Sequence, residues 1–364
     1  MKGPLLVGLY FFMKNINYFL IGIIPLQWLA LKWSKNNSEW IEINYSQKIY
    51  PLIFKSHRFF FENIPFSFGD LIYLAIIISF IGSLIYLFKN PLNRFRNYLF
   101  QGLACVSLIH LIFQLSWGLN YYRLPLNKAL AYDLTYNETQ LTKTLEKLIQ
   151  TTNLLHEQLS NEDSIPVKIP YSKDTISNMI ERDFLFKKEK FTVQPFIKNS
   201  LWNKVTIYMG FSGYLNPLTL ESHVNKNIPA FNYITTAAHE MAHQLGIAAE
   251  NEANFIAFYT TINNPDPFIK FSGYSFGLKY CYADLYNLNQ KKAKELIKQL
   301  KPGILKNFQE QSTFWKAYEN PFQPYLKKSY SNYLKANGQV LGIQSYNAMV
   351  ALVIAYSKEN VFDI

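Results

Sequence analysis

The chain has 364 residues, of which 49% are hydrophobic and 17% aromatic, yet its mean hydropathy is only -0.05. That length has room for two compact units, and the average excludes an evenly soluble chain, because a greasy part must be balanced by a polar one. The formal net charge is +11, and it is unevenly spread: 11 Lys and Arg face 4 Asp and Glu up to Arg123, against 25 and 21 beyond it. A basic excess beside apolar segments belongs to a membrane surface. With no basic stripe or reader motif, nucleic acid is excluded as a partner.

Three apolar segments open the chain. The first covers residues 4–31, interrupted by Lys14 and Asn15, and its better half gives a span at about residues 16–33. Lys2 followed by residues 4–13 has the form of a signal peptide. No small-residue cleavage site follows Lys14, so an uncleaved anchor is expected. The second segment, residues 69–88, is 20 residues with one acid at its edge, long enough to cross about 30 Å of hydrocarbon. The third, residues 98–117, carries Gln101, His110 and Gln114, which suit helix–helix hydrogen bonding. Burial inside a large soluble domain is the alternative for these segments, but uninterrupted runs of this length are rare there.

The short connection after the second segment holds Lys89, Arg94 and Arg96 without an acid and reads as cytoplasmic. Everything after about Trp117 then lies outside the cytoplasm. The connection at residues 32–68, with five basic and three acidic residues, reads as a longer loop. Trp117, Tyr121, Tyr122 and Arg123 read as an interfacial belt at the membrane exit.

Beyond the belt, residues 138–159 have leucines at helical spacing. Residues 204–215 read as a strand followed by a glycine-containing turn. From Tyr274 onward, Lys-rich amphipathic helices alternate with Pro and Gly breaks. The apolar stretch at 349–356 is too short to span and is expected as a buried helix. The two cysteines, Cys105 and Cys281, lie in different environments and imply no disulfide.

The chemistry is concentrated in residues 235–259. His239 and His243 are four apart, so on a helix both imidazoles share one face and can grip one Zn²⁺. Glu240 lies beside the metal, placed to take a proton from water there without ligating. Small apolar neighbours suit a buried site helix, and Gly246 falls where a helix C′ glycine is expected. A third ligand must come from Glu250 or Glu252. Two residues apart on a helix, they diverge by about 200°, so only one faces the metal. Glu250 is favoured and Glu252 is the alternative.

The pair Glu250 and Asn254 resembles the third-ligand helix of gluzincin metallopeptidases, where Glu is followed four later by Asp. The resemblance implies that Asn254 orients a ligating histidine. Two features depart from that pattern: the partner is an amide, and seven residues separate His243 from Glu250. The short interval is closer to metzincins, but their third-histidine position falls on Ala249. Around these motifs, WGLNYYRLPL, SGYLNPLTLESHVN, HEMAHQLG and ENEANF together resemble a family of bacterial membrane proteins of uncharacterised function with a metallopeptidase-like core. The implied fold is mainly α: a three-helix transmembrane region (1–123), then a predominantly helical, zincin-like α+β domain (124–364).

Residues 210–225 are then expected as an edge strand and turn beside the site helix, able to bind extended peptide by strand addition. Glu221 and His223 lie there as candidates to reach the site. Tyr346 or Tyr274 is a candidate oxyanion donor, while His57 and His156 have no assigned role. The sequence thus points to a zinc-dependent HExxH hydrolase, a peptidase acting on peptide or protein. It would be multi-pass in a bacterial inner membrane, with its catalytic domain periplasmic or extracellular. The alternative is a non-catalytic scaffold or receptor with a structural or degenerate metal site.

Overall fold

The computed structural model describes residues 15–89, 95–184, 194–360 and Phe362. The signal-peptide-like residues 2–13 and most of the basic connection, residues 90–94, lie outside that set. The described chain is mainly helical. Three of its helices are long and apolar enough to cross a membrane: α1 (Asn15–Asn36), α3 (Phe68–Lys89) and α4 (Phe95–Ser116). α1 has a turn at Ile23, just ahead of Pro25, whose missing N–H and ring disfavour a continuous ladder.

Polar side chains join α1 to α4. Gln27 donates to Ser107 Oγ at 2.9 Å, Ser107 Oγ donates to the Leu20 carbonyl at 2.6 Å, and His110 Nδ1 lies 2.5 Å from Gln27 Oε1. Such bonds are retained within apolar helices because no water competes for them. Tyr86 and Tyr98, with ring centroids 5.1 Å apart, close the α3–α4 hairpin.

The connection expected as a loop at residues 32–68 is instead largely helical. Ser38–Trp40 leads into a π-helical stretch, Ile41–Ile49, and on into Tyr50–Phe61, together α2. The wider π turns bring Glu42, Tyr45 and Ser46 to the buried side. Ile41, Tyr45, Tyr50, Phe54 and Trp117 share a core with the helix carrying His239, so the composition change near Arg123 does not separate two cores.

After a 3₁₀ turn (Gly118–Tyr122) come α5 (Leu126–Ala129), α6 (Glu138–Leu159) and α7 (Lys173–Arg182). Asn137 caps α6 in a reciprocal capping box with Gln140. Three short strands follow with α8 (Asn203–Met209) among them: β1 (Ile197–Lys198), β2 (Gly213–Leu215) and β3 (Ser222–Val224). β3 is central, parallel to β1 and antiparallel to β2. Residues 204–215 were expected as a strand followed by a turn, but only Gly213–Leu215 is strand and residues 203–209 are helical. They form α8 because Ile207 is buried while Val205 and Tyr208 stay exposed, a helical rather than alternating pattern, and Gly210 ends the helix at φ +85°.

The remaining helices are α9 (Ala230–Gln244), α10 (Glu250–Ile262), α11 (Pro267–Leu288), α12 (Gln290–Ile297), α13 (Pro302–Lys316), α14 (Gln323–Ala336) and α15 (Met349–Glu359). A 3₁₀ turn, Gly342–Ala348, leads into α15, which is buried as its composition requires.

The first turn of α3 is fastened to the sheet. The Glu221 carboxylate accepts from the backbone N–H of Phe68 at 3.2 Å and Gly69 at 2.7 Å, from Thr219 Oγ1 at 2.8 Å and from Lys198 Nζ at 2.9 Å. An anion at a helix N-terminus is favourable, and Gly69 allows the approach: a Cβ there would sit 2.2 Å from Asn216. Asp70 adds bonds to Tyr214 Oη at 2.5 Å and to the Leu201 N–H at 2.8 Å. Ser116, at the end of α4, donates to the Pro217 carbonyl at 2.8 Å. The sheet thus sits at one end of the α3–α4 hairpin, with Lys89 and Phe95 at the other.

Glu221 is fully buried, so Glu221→Ala should strand the Lys198 ammonium and two helix N–H groups. Removing one partner of a buried pair costs about 3–5 kcal/mol. Thermal unfolding of the purified variant in detergent should show a drop of several degrees or more, and an unchanged midpoint would contradict this account.

Candidate metal centre

α9 carries the two histidines. Ala237, Ala238, Met241 and Ala242 are fully buried, and the three alanines are small enough to let neighbouring elements pack closely against the helix. Gln244 fastens α9 to neighbouring strands, donating to the Leu220 carbonyl and accepting from the Phe196 N–H, both at 2.8 Å. Ser222 Oγ donates to the Glu240 carbonyl at 2.7 Å.

The helix ends in a Schellman turn. Gly246 adopts φ +77°, its N–H reaches the His243 carbonyl at 2.9 Å, and the Ile247 N–H reaches Ala242 at 3.2 Å. The turn returns the chain so that α10 starts at Glu250, directly at the histidines. Segments distant in sequence hold the turn. Trp117 Nε1 donates to the His243 carbonyl at 3.1 Å, Tyr50 Oη to Gln244 at 2.8 Å and Arg123 to Gly246 at 2.7 Å. Arg123 is itself held by a buried bidentate pair with Glu42, at 2.8 and 2.9 Å. Trp117 and Arg123, expected in an interfacial belt, are therefore buried supports of this turn.

His239, His243 and Glu250 converge, with one ligand atom from each within 4.8 Å of the others. Glu250 Oε2 lies 3.3 Å from His239 Nε2 and 3.5 Å from His243 Nε2. His243 Nδ1 is 2.7 Å from the Ile247 carbonyl. This carbonyl can only accept, so Nδ1 carries the proton and Nε2 is turned to the cluster. Tyr330 Oη donates to Glu250 Oε1 at 2.7 Å. Glu240 Oε1 lies against Gly213 of β2, where an added Cβ would come within 2.6 Å. Glu240 Oε2 has no hydrogen-bond partner among the described residues. Three buried donors beside an unsatisfied carboxylate oxygen suit a divalent cation with one open position.

The electrostatics follow from burial in a ring of like and opposite charges. Burial, with the Glu250 charge adding to it against the pull of His243, pushes Glu240 up to about 8. Burial acts to lower His243, but Glu250, Glu240 and the bond to Ile247 outweigh it and lift it to about 9. Burial works to raise Glu250, yet the two histidines hold it far below the usual carboxylate range. His239 is lowered, chiefly by burial. Burial lifts Tyr330 and Tyr346 well above the phenol range, so both remain hydroxyl donors.

The remaining sequence candidates divide. Glu252 turns away, as the helical divergence requires, and accepts from the Leu126 N–H at 2.7 Å. Asn254 lies beside His239 and donates to Tyr280 Oη and the Tyr346 carbonyl, each at 3.3 Å. The Tyr346 ring lies parallel to His239 with centroids 6.0 Å apart. His223 does not reach the cavity. On the central strand its ring is fully buried, stacked 4.6 Å from Tyr214, and burial keeps it neutral. Glu221 caps α3 instead, and Tyr274 is a core side chain. Tyr330 was missed, since 80 residues separate it from Glu250 and no local pattern distinguishes one tyrosine among 26.

Two cavities meet at His239 and Glu240. One of about 360 Å³ is walled by Asn232, Thr235, Lys279, Gln311 and Lys327, and the other of about 560 Å³ by apolar and aromatic side chains.

The described residues define a mainly helical protein with three membrane-length helices and a buried two-histidine, one-carboxylate cluster. A family profile described as "Protein of unknown function (DUF3810)" matches residues 45–354, and the chain belongs to that family. No curated protein and no solved structure matches the chain.

The charge pattern has a measurable sign. His243 is raised from 6.5 to about 9 and Glu240 from 4.5 to about 8, so between these values the folded, metal-free chain holds more protons than the unfolded one. Its stability should therefore fall as pH rises from about 6.5 to 9. Thermal melts in EDTA check this. A midpoint that climbs over the same interval would reverse the assignment.

Proposed function

We propose that the protein is a membrane-anchored, zinc-dependent metallohydrolase of the zincin, gluzincin-like type, acting as a peptidase. The observation that carries this reading is the convergence of His239, His243 and Glu250 beside a Glu240 carboxylate with an unsatisfied oxygen. Zinc held by those three side chains would supply Lewis acidity, polarising a substrate carbonyl and making water more acidic.

The chain's own groups do the rest. Ile247 orients His243, and Tyr330 holds the Glu250 carboxylate. Glu240 accepts a proton from the attacking water, whose oxygen bonds to the carbonyl carbon. It then returns that proton to the amine nitrogen as the C–N bond breaks. A positive charge at the cluster favours ionised Glu240, countering the burial that otherwise keeps it protonated. Tyr346, above the His239 ring, is placed to donate to the developing oxyanion. β2 is an edge strand against Glu240, which suits an extended peptide added along Gly213–Leu215.

A structural site in a scaffold or receptor would be closed by four protein ligands. Glu252, the alternative ligand, is engaged by Leu126, which favours the open, catalytic reading. The sheet lies at one end of the hairpin, and Lys89 and Phe95, the helix ends that flank the basic connection, lie at the other. Positive loops face the cytoplasm, so the metal domain belongs on the outer side of a bacterial cytoplasmic membrane.

Glu240→Gln should keep about one zinc per chain and lose at least about 100-fold in hydrolysis, while His243→Ala should lose the metal. Metal analysis together with cleavage of a proteome-derived peptide library reads both. A Glu240→Gln protein that cleaves at the parental rate would refute the mechanism.

A further inference from the structure

Resting on the metallohydrolase reading, we propose that its substrate is a lipid-tailed peptide, with the hydrocarbon chain seated between α3 and α8 and the polar part in the lysine-lined cavity. The apolar cavity is walled by Tyr73, Ile76 and Ile77 of α3, by Val205 and Met209 of α8, and by Leu215 of β2. Tyr73 to Ile77 lie five to nine residues into a membrane-length helix, roughly 8–14 Å along its axis at 1.5 Å per residue.

Ile76 and Ile77 are 39% and 49% exposed, so the cavity is open sideways where α3 would face hydrocarbon. A polar peptide segment would lose its water there without replacement. An alkyl chain would pass from bilayer to cavity at almost no cost. The opening therefore selects for a tail rather than merely tolerating one.

On the other side of His239 and Glu240, Lys279 and Lys327 add cationic groups to a recess of mixed lining, walled also by Asn232, Thr235, Phe276 and Trp315, which suits a peptide with anionic groups. Because both recesses meet at Glu240, the bond to be hydrolysed lies within a few bonds of the tail attachment. β2, between them, aligns the backbone.

The test is photolabelling of the full-length protein in phosphatidylcholine nanodiscs containing EDTA, which requires neither metal nor turnover. The probe is an acidic peptide bearing a sixteen-carbon acyl chain with a mid-chain diazirine. Labelling is expected at Tyr73, Ile77, Val205 and Met209, suppressed by excess unlabelled acyl peptide but not by the same peptide without its chain. Ile77→Trp should cut labelling of Val205 and Met209 by about tenfold. Ile78→Trp, one residue along and 60% exposed, should leave it intact and controls for misfolding.

Labelling confined to Ile78, Phe80 and Ile81 overturns the proposal. Equal labelling by a diazirine phosphatidylcholine also does so, since the cavity would then be an ordinary lipid site. Zinc content and the Glu240→Gln rate report separately on the metallohydrolase reading, so the two failures are distinguishable.

Discussion

The site depends on one backbone constraint, the left-handed turn at Gly246. Seven residues separate His243 from Glu250, too few for a loop that wanders. Only a helix ending at Leu245 and reversing at once brings the first residue of α10 back to the imidazoles. A residue with a Cβ would be strained at φ +77° and would meet Asn120 and the Tyr50 ring at 3.0 Å. The carbonyls exposed by the reversal are those of His243, Gln244 and Gly246. Trp117, Tyr50 and Arg123 satisfy them, which fixes the turn in place.

The same logic joins the membrane helices to the site. Glu221 and Asp70 fix the first turn of α3 to the sheet, and the sheet lies against α9 through Ser222 and Gly213. The position of a membrane-length helix and the position of the Glu240 carboxylate are therefore set by one continuous hydrogen-bonded framework. A cavity wall shared by α3 and the His239–His243–Glu250 cluster is its geometric result.

The parts legible in the sequence were those with short-range signatures. The three long apolar helices follow from uninterrupted runs, and the pairing of His239 with His243 follows from helical periodicity. That Glu250 and Glu252 cannot both face the histidines follows from their divergence of about 200° on a helix, and in the structure Glu252 turns toward Leu126. What escaped depended on tertiary context. Residues 32–68 read as a longer loop by their charges, and the helices within it depend on a π-helical stretch that buries Glu42 by pairing it with Arg123, 81 positions on. Residues 203–209 look like a strand by β-branched content, and only the burial of Ile207 against exposed flanks decides for a helix. His223 is a candidate to reach the site from its place on the expected edge strand, but its strand is buried on both faces. Tyr330 enters the site from a helix whose sequence reads as ordinary surface.

The Glu42–Arg123 pair bears on how the molecule can be divided. The side chains that satisfy the His243, Gln244 and Gly246 carbonyls all come from the first 123 residues, and the pair itself is sealed from water at both ends. Cleaving the polypeptide just beyond Arg123 would not release a self-sufficient helical domain from an inert tether. It would take away the three side chains that hold the reversal between the histidines and Glu250, so the apolar portion is a structural partner of that cluster.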